Sequence, residues 1–170
     1  MPEKMEHGKV MKVLVISDTH GRTDNLDKIL PQVKPLDQLL HLGDVGNDTD
    51  YIEVIAECPC CFVAGNNDYY SNLPRERVIK LNGVTVFMTH GHYHYVNARK
   101  DMIRSAGVQR GARIALFGHT HVPYLEEDET ILVANPGSLS LPRQADHCPT
   151  YMILWIWEDG TMKVEQHKVT

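Results

Sequence analysis

The chain reads as an α/β protein with two packed mixed β-sheets flanked by helices, and three observations lead there. Its first 66 residues alternate apolar β-branched runs with amphipathic helical segments, the signature of a parallel α/β beginning. Its second half is rich in strands and turns, which a single open sheet would not accommodate. Finally, short polar blocks follow the ends of the apolar runs, where an α/β sheet binds its ligands.

Taken in order, Val10 to Ile16 is a continuous apolar strand ending at Ser17-Asp18. Thr23 is placed to cap a helix with Leu26, Ile29 and Leu30 on one face, stopping near Pro31 or Pro35. Leu36 to Leu42 is the next strand, ending at Gly43-Asp44, and residues 49 to 57 are helical with Ile52, Ile55 and Ala56 apolar. Cys60 to Ala64, entered past Pro59, is a third short strand ending at Gly65-Asn66. Val78 to Leu81 and Val84 to Met88 flank Asn82-Gly83, a two-residue hairpin turn. Tyr95 to Ala106 is expected to be a helix and Arg113 to Phe117 a strand delivering Gly118 to His121. Tyr124-Leu125, Ile131 to Ala134, Tyr151 to Trp157 and Met162 to Gln166 complete the strands, with turns at residues 127–129 and at Asp159-Gly160. There is no repeat, low-complexity tract or linker, so residues 11–170 are expected to form one domain behind a mobile extension of residues 1–10.

The 170 residues suffice for one domain with a core but not for two ordinary ones. A net charge of −5 argues against stable nucleic-acid binding, which needs a basic surface. No apolar run approaches the roughly 20 residues that span a bilayer, so no membrane partner is expected. The polar stretch from Met1 to Lys12 has no signal-peptide core, which points to the cytoplasm, although Met5 and Met11 are alternative starts. Cys58 and Cys61 make a C-x-x-C without a second pair, so with Cys60 and Cys148 they are read as plain intracellular thiols.

Seven residues in five blocks carry the chemistry: Asp18 and His20, Asp44, Asn66, His90, and His119 with His121. Carboxylate, amide and imidazole donors without thiolates suit a catalytic rather than a structural metal centre. A two-metal site needs a bridging anion, and Asp44 offers one oxygen to each ion. Asp18 and His20 converge on one ion only if the chain leaves strand geometry there, and Gly118 permits a tight turn beside the cluster. Each block alone is a common turn or polar loop; their joint occurrence after apolar runs is the signal.

These blocks resemble the calcineurin-like metallophosphoesterase superfamily, and within it the small YfcE-like phosphodiesterase branch, from Lys12 to the end of the chain. Asn135-Pro136-Gly137-Ser138 followed by Arg143 is similar to that branch's segment after the last ligands. The resemblance implies a calcineurin-like four-layer sandwich. It also implies one metal held by Asp18, His20, Asp44 and His121, and another by Asp44, Asn66, His90 and His119. On this reading a hydroxide between two divalent ions attacks phosphorus in line. Manganese is the favoured ion, with iron, zinc or nickel as alternatives. Asn66 and His90 belong with Asp44 in the catalytic set, and His92 beside them could contact substrate or supply a proton.

One position departs from the pattern. Many phosphatases of the superfamily carry a histidine right after the metal-binding asparagine, where this chain has Asn67, which donates a hydrogen bond but no proton. A phosphodiester is therefore expected in preference to a monoester, with Asn67 and Arg143 as substrate-binding residues and Arg22 a weaker candidate. The expected partner is a small phosphoester, with a nucleotide-like molecule in view. A phosphomonoesterase is an alternative, as is a non-catalytic scaffold like the retromer subunit, which lacks the first-block histidine that His20 supplies here; a DNA nuclease fits least. Asp68 is read as either orienting a histidine or forming a turn, and His94 as either near the site or on a surface loop. His7, His41, His147 and His167 are read as structural or solvated. Trp155 and Trp157, on one side of a strand, are core or leave a homo-oligomer open.

Overall fold

The computed structural model describes residues 8–170; His7, Met5 and most of the expected N-terminal extension lie outside the described residues. Strand β1 (Val10–Ile16) starts within that extension, and Lys9 already accepts a hydrogen bond from the Glu158 amide at 3.0 Å. Helix α1 (Asp24–Val33), β2 (Gln38–His41), α2 (Thr49–Ala56) and β3 (Cys60–Phe62) follow in the expected order. Strands β1, β2 and β3 pair in parallel, and β9 (Thr150–Trp157) and β10 (Met162–Lys168) extend this sheet antiparallel, giving the order β10-β9-β1-β2-β3. The second sheet holds β4 (Glu76–Leu81), β5 (Val84–Thr89), β6 (Ile114–Leu116), β7 (Tyr124–Glu127) and β8 (Leu132–Asn135), ordered β4-β5-β6-β8-β7. Its β5, β6 and β8 run parallel.

Period-2 alternation divides the apolar side chains between layers. Val13 and Val15 face inward with Leu40, Val86, Met88, Ile114, Leu116 and Leu154, filling the space between the sheets. Leu14, Ile16, Leu39 and Ile153 face outward, against Leu26, Ile29 and Leu30 of α1 and Ile52 of α2. On the far side, Ile103 and Ala106 of α3 (Asp101–Gln109) cover Phe87, Ala115 and Val133. The result is four layers: helices, sheet, sheet, helix. Trp157 is 5% exposed, and Trp155 packs against the outer core while its indole N–H donates to Glu165, so both belong to the core reading.

Several local expectations need correction. Thr23 sits at the start of α1 but its hydroxyl makes no capping bond; its carbonyl accepts from Asp27 N instead. Of the two expected stops for α1, Pro31 lies inside the helix, which runs to Val33 and ends before Pro35. Strands β2, β3 and β6 are shorter than the apolar runs suggested, covering only Gln38–His41, Cys60–Phe62 and Ile114–Leu116. The helix expected from Tyr95 begins instead at Asp101: Tyr95 has φ 52°, outside helical space, and a 3₁₀ turn over His92–His94 precedes it. Asn82 and Gly83 have φ 48° and 79°, the type I′ hairpin turn. Cys58, Cys60, Cys61 and Cys148 are free thiols.

Candidate metal centre

All five blocks lie just past the carboxyl ends of parallel strands: β1, β2 and β3 of one sheet, β5 and β6 of the other. The ligand loops leave strand geometry sharply. Asp18, His20, Asp44, His119 and His121 have φ of 56°, 50°, 55°, 70° and 60°. Left-handed backbone at a side-chain-bearing residue costs roughly 1–2 kcal/mol, so five such positions in one site must be held by their surroundings. They are. Asp18 N and His20 N donate to Gly43 O and Asp44 O at 3.0 and 2.8 Å, and Arg143 N donates to His121 O at 3.0 Å. The Ser138 and Ser140 hydroxyls donate to Asp18 O at 2.8 and 2.9 Å, and Asn135 Nδ2 donates to Gly118 O at 3.0 Å. Asp68 accepts from the amides of Val45, Gly46 and Gly65. It is a clamp between two loops and does not orient a histidine.

Two glycines are required by close approach. A Cβ on Gly65 would stand 2.1 Å from Asp44 Oδ1, and one on Gly118 would stand 2.0 Å from Ser17 Oγ. Gly118 begins the expected tight turn, closed by Thr120 N donating to Gly118 O at 2.8 Å, but the left-handed φ falls on His119, so what requires a glycine at 118 is the close contact.

The side chains meet in two groups that share Asp44. Donor atoms of Asp18, His20, Asp44 and His121 all lie within 4.8 Å of one another. In the second group, Asn66 Oδ1 is 3.0 Å from His90 Nε2 and 3.1 Å from His119 Nδ1. Asp44 Oδ2 stands at the seam, 3.5 Å from both His20 Nε2 and His90 Nε2.

The hydrogen-bond chemistry of this donor set fits cations. His90 Nδ1 faces Leu42 O at 2.7 Å and His121 Nδ1 faces Leu141 O at 2.6 Å. A carbonyl only accepts, so both Nδ1 atoms carry their protons and both neutral rings turn a bare Nε2 lone pair inward. Those lone pairs converge with Asn66 Oδ1 and His119 Nδ1 for His90, and with Asp18 Oδ1 and His20 Nε2, both at 3.2 Å, for His121. Asp18 Oδ1 is buried and has no hydrogen-bond partner of good geometry. Lone pairs and carboxylate oxygens gathered this closely suit a cation among them; without one, protons on His20 Nε2 and His119 Nδ1 would have to satisfy them. The titration directions agree. Burial would raise the Asp18 and Asp44 carboxyls, yet His121 and His90 around Asp18, and His90 and Asn67 around Asp44, hold both below the usual carboxylate range. Burial would lower His90, but Asp44 and Asp18 pull it up.

The other expected site residues fall unevenly. His92 stands beside the second group, with ring centroids 5.4 Å from His90 and 5.9 Å from His119. Burial, then the neighbouring His90 and His119, push its pKa down to about 4. Asn67 turns its amide onto Asp44, donating from N to Oδ1 and from Nδ2 to Oδ2, both at 2.9 Å. Arg143 is exposed and joined to the site by its backbone alone among the described contacts; Arg22 is also exposed. His94 packs edge-on against Phe87, away from the cluster. His41 is fully buried, bonded to Thr19 Oγ1 at 2.9 Å and accepting from Gly43 N, with burial lowering its pKa to about 4. His167 stacks on Tyr151, and His147 is exposed. Sequence reasoning missed Arg75, Tyr69 and Tyr93, which line a cleft of about 330 Å³ beside Asn66 and His92; lone aromatic and basic residues in loops carry no spacing signal.

The calcineurin-like phosphoesterase superfamily domain matches residues 11–159. The chain belongs to this superfamily. A probable metallophosphoesterase of Methanocaldococcus jannaschii is 32% identical over 151 residues, spanning 86% of this chain and 76% of the relative. From the same organism, a protein named a phosphodiesterase is 26% identical over 145 residues, spanning 75% and 83%. Among solved structures, a conserved protein of Streptococcus pneumoniae TIGR4, described as a predicted phosphoesterase, superposes with a TM-score of 0.75 at 25% identity over 94% of this chain and 98% of its own. Vps29 of Entamoeba histolytica, solved as a zinc complex, shares the fold with a TM-score of 0.73 at 23% identity, over 94% and 100%. As a calcineurin-like phosphoesterase the chain is a metal-dependent phosphoester hydrolase by family. No helix among the described residues is long and apolar enough to cross a membrane.

Proposed function

We propose that this calcineurin-like protein is a dinuclear-metal phosphodiesterase acting on small phosphoesters. The observation that carries the reading is Asp44 Oδ2, equidistant at 3.5 Å from a histidine of each donor group. Asp18, His20, Asp44 and His121 would hold one ion, and Asp44, Asn66, His90 and His119 the other. When bound, two divalent ions supply an activated water and stabilise charge on the phosphoryl oxygens. The mixed imidazole and carboxylate set suits manganese better than magnesium.

The chain's own residues favour the diester. Hydrolysis adds water across one P–O ester bond, and the departing oxygen ends with a proton. Asn67 has no titrating proton, and its amide is engaged by Asp44. His92, with a pKa lowered to about 4, is neutral at pH 7 and a poor proton donor there. General-acid help is commonly worth about a hundredfold or more, so substrates with good leaving groups lose least by its absence. The scaffold reading is weaker, because a purely structural role does not require a donor set so strained and so fully converged.

The test is the ratio of specificity constants for a matched aryl diester and alkyl monoester with manganese-loaded protein. The wild type is expected to favour the aryl diester, and Asn67→His to shift the ratio toward the monoester. Wild-type preference for the alkyl monoester would overturn the assignment of Asn67, and no hydrolysis of either would favour the scaffold.

A further inference from the structure

The cleft beside the second donor group is not needed to hold metal, yet it is continuous with it. His92 sits between the two. Its ring is 5.4 Å from that of His90 and 4.2 Å from that of Tyr93, and the guanidinium of Arg75 lies over Tyr93 at 4.8 Å. A wall of flat, polarisable groups thus runs from the metal centre along the cleft. Tyr93 is 55% exposed and Tyr69, which also lines the cleft, 74% exposed. Large aromatic faces left open beside a reactive centre are costly to hydrate and are natural stacking platforms. The lining carries one carboxylate and one guanidinium, and only the guanidinium is free to meet a ligand. Asp68 lines the cleft, but its carboxylate is taken up by three backbone amides. Arg75 is exposed, and among the described residues no carboxylate pairs with it. At about 330 Å³ the cleft falls at the small end of the roughly 300–1,000 Å³ range of ligand sites, room for one ring system and its attachment.

We propose that this cleft receives a flat aromatic arm of the substrate, a nucleobase-type ring esterified to the phosphate held at the metal centre, and that Tyr93 and Arg75 select for it. The inference rests on the hydrolase reading above. An electron-rich ring stacks on tyrosine and on a guanidinium plane, whereas a short alkyl arm gains neither contact. Arg75 and Tyr93 are specificity-determining residues; neither touches the donor set.

The test compares two diesters with one non-aromatic leaving group, thymidine 5′-(2,2,2-trifluoroethyl phosphate) and ethyl 2,2,2-trifluoroethyl phosphate, using manganese-loaded full-length protein. The expected result is a specificity-constant ratio favouring the thymidyl ester in the wild type. That ratio should fall roughly tenfold in Tyr93→Leu and in Arg75→Gln, a modest stacking loss. Both positions are exposed, so the variants should fold. A wild-type ratio near one, or a ratio unmoved in both variants, overturns the proposal. If neither ester is hydrolysed, the hydrolase reading fails by itself, and the cleft is judged by calorimetric titration with thymidine 5′-monophosphate and ethyl phosphate. Tighter binding of the nucleotide, weakened in Tyr93→Leu, supports the aromatic subsite; equal binding of the two overturns it.

Discussion

The donor group built on Asp18 and the one built on Asn66 share Asp44 and little else. In the first, Asp18 is fully buried, His121 is 3% exposed, and two carboxylates belong to the set. The Asp18 loop is tied down by serine hydroxyls and by backbone bonds to the Gly43–Asp44 turn. In the second, Asn66 is exposed, His119 half-buried, and Asp44 supplies the only carboxylate. The second group also adjoins the cleft. A site with two anions in a rigid, dry setting holds a cation more tightly than one with a single anion at an open edge. On the proposed two-ion reading, the first group would be an anchoring half and the second a working half, where an ion would exchange more readily and substrate would arrive.

Removing the shared residue should erase the distinction. Asp44→Ala is expected to lower kcat/KM by about a thousandfold or more at barely saturating manganese, since several kcal/mol of charge stabilisation are lost. It should weaken both ions. Asp18→Ala should chiefly weaken one, and Asn66→Ala the other, read by manganese titration of each variant. Equal loss of both ions in Asp18→Ala would remove the asymmetry.

Gly118→Ala strikes the anchoring half through packing alone. Its Cβ would collide with Ser17 Oγ at 2.0 Å and Asp18 Oδ2 at 2.7 Å, and overpacking of a tight site costs about 1–3 kcal/mol. Thermal unfolding of metal-free protein should show the loss; a Tm equal to wild type would mean that the β6 loop relaxes without cost.

The architecture was legible because each layer leaves a periodic trace: β1 alternates Val13 and Val15 inward with Leu14 and Ile16 outward, and α1 repeats Leu26, Ile29, Leu30 and Val33. Its boundaries were not, since pairing partners and a single left-handed residue such as Tyr95 decide where an element stops. The donor residues were visible as blocks after strands, but their convergence depends on left-handed backbone at Asp18, His20, Asp44, His119 and His121, which no periodicity reports. The supports escaped for a similar reason. Ser138 and Ser140 act from 120 and 122 residues away in sequence and Asn135 from 17, and Asn135-Pro136-Gly137-Ser138 stood out by resemblance without its mechanical role. His41, read only as structural or solvated, is a buried support of the Asp18 block through Thr19.

His41 gives the smallest of these effects and one that depends on pH. Burial holds its folded pKa near 4 against an unfolded value near 6.5. The unfolded chain therefore binds the proton first, so stability is full above about pH 6.5 and falls as pH drops toward 4, by up to about 3 kcal/mol. Denaturant unfolding of metal-free wild type and His41→Gln at pH 7 and pH 4.5 should show the steeper acid loss in the wild type. Parallel losses would mean that His41 takes up its proton without penalty.

The central claim, two cations bridged by Asp44, is tested most directly by anomalous diffraction from crystals of the manganese-loaded protein. Two peaks per chain are expected, roughly 3.5–4 Å apart: one among Asp18, His20, Asp44 and His121, the other among Asp44, Asn66, His90 and His119. Under limiting metal, the first peak should be the stronger. A single peak at saturating manganese, or two peaks without Asp44 between them, would contradict the account.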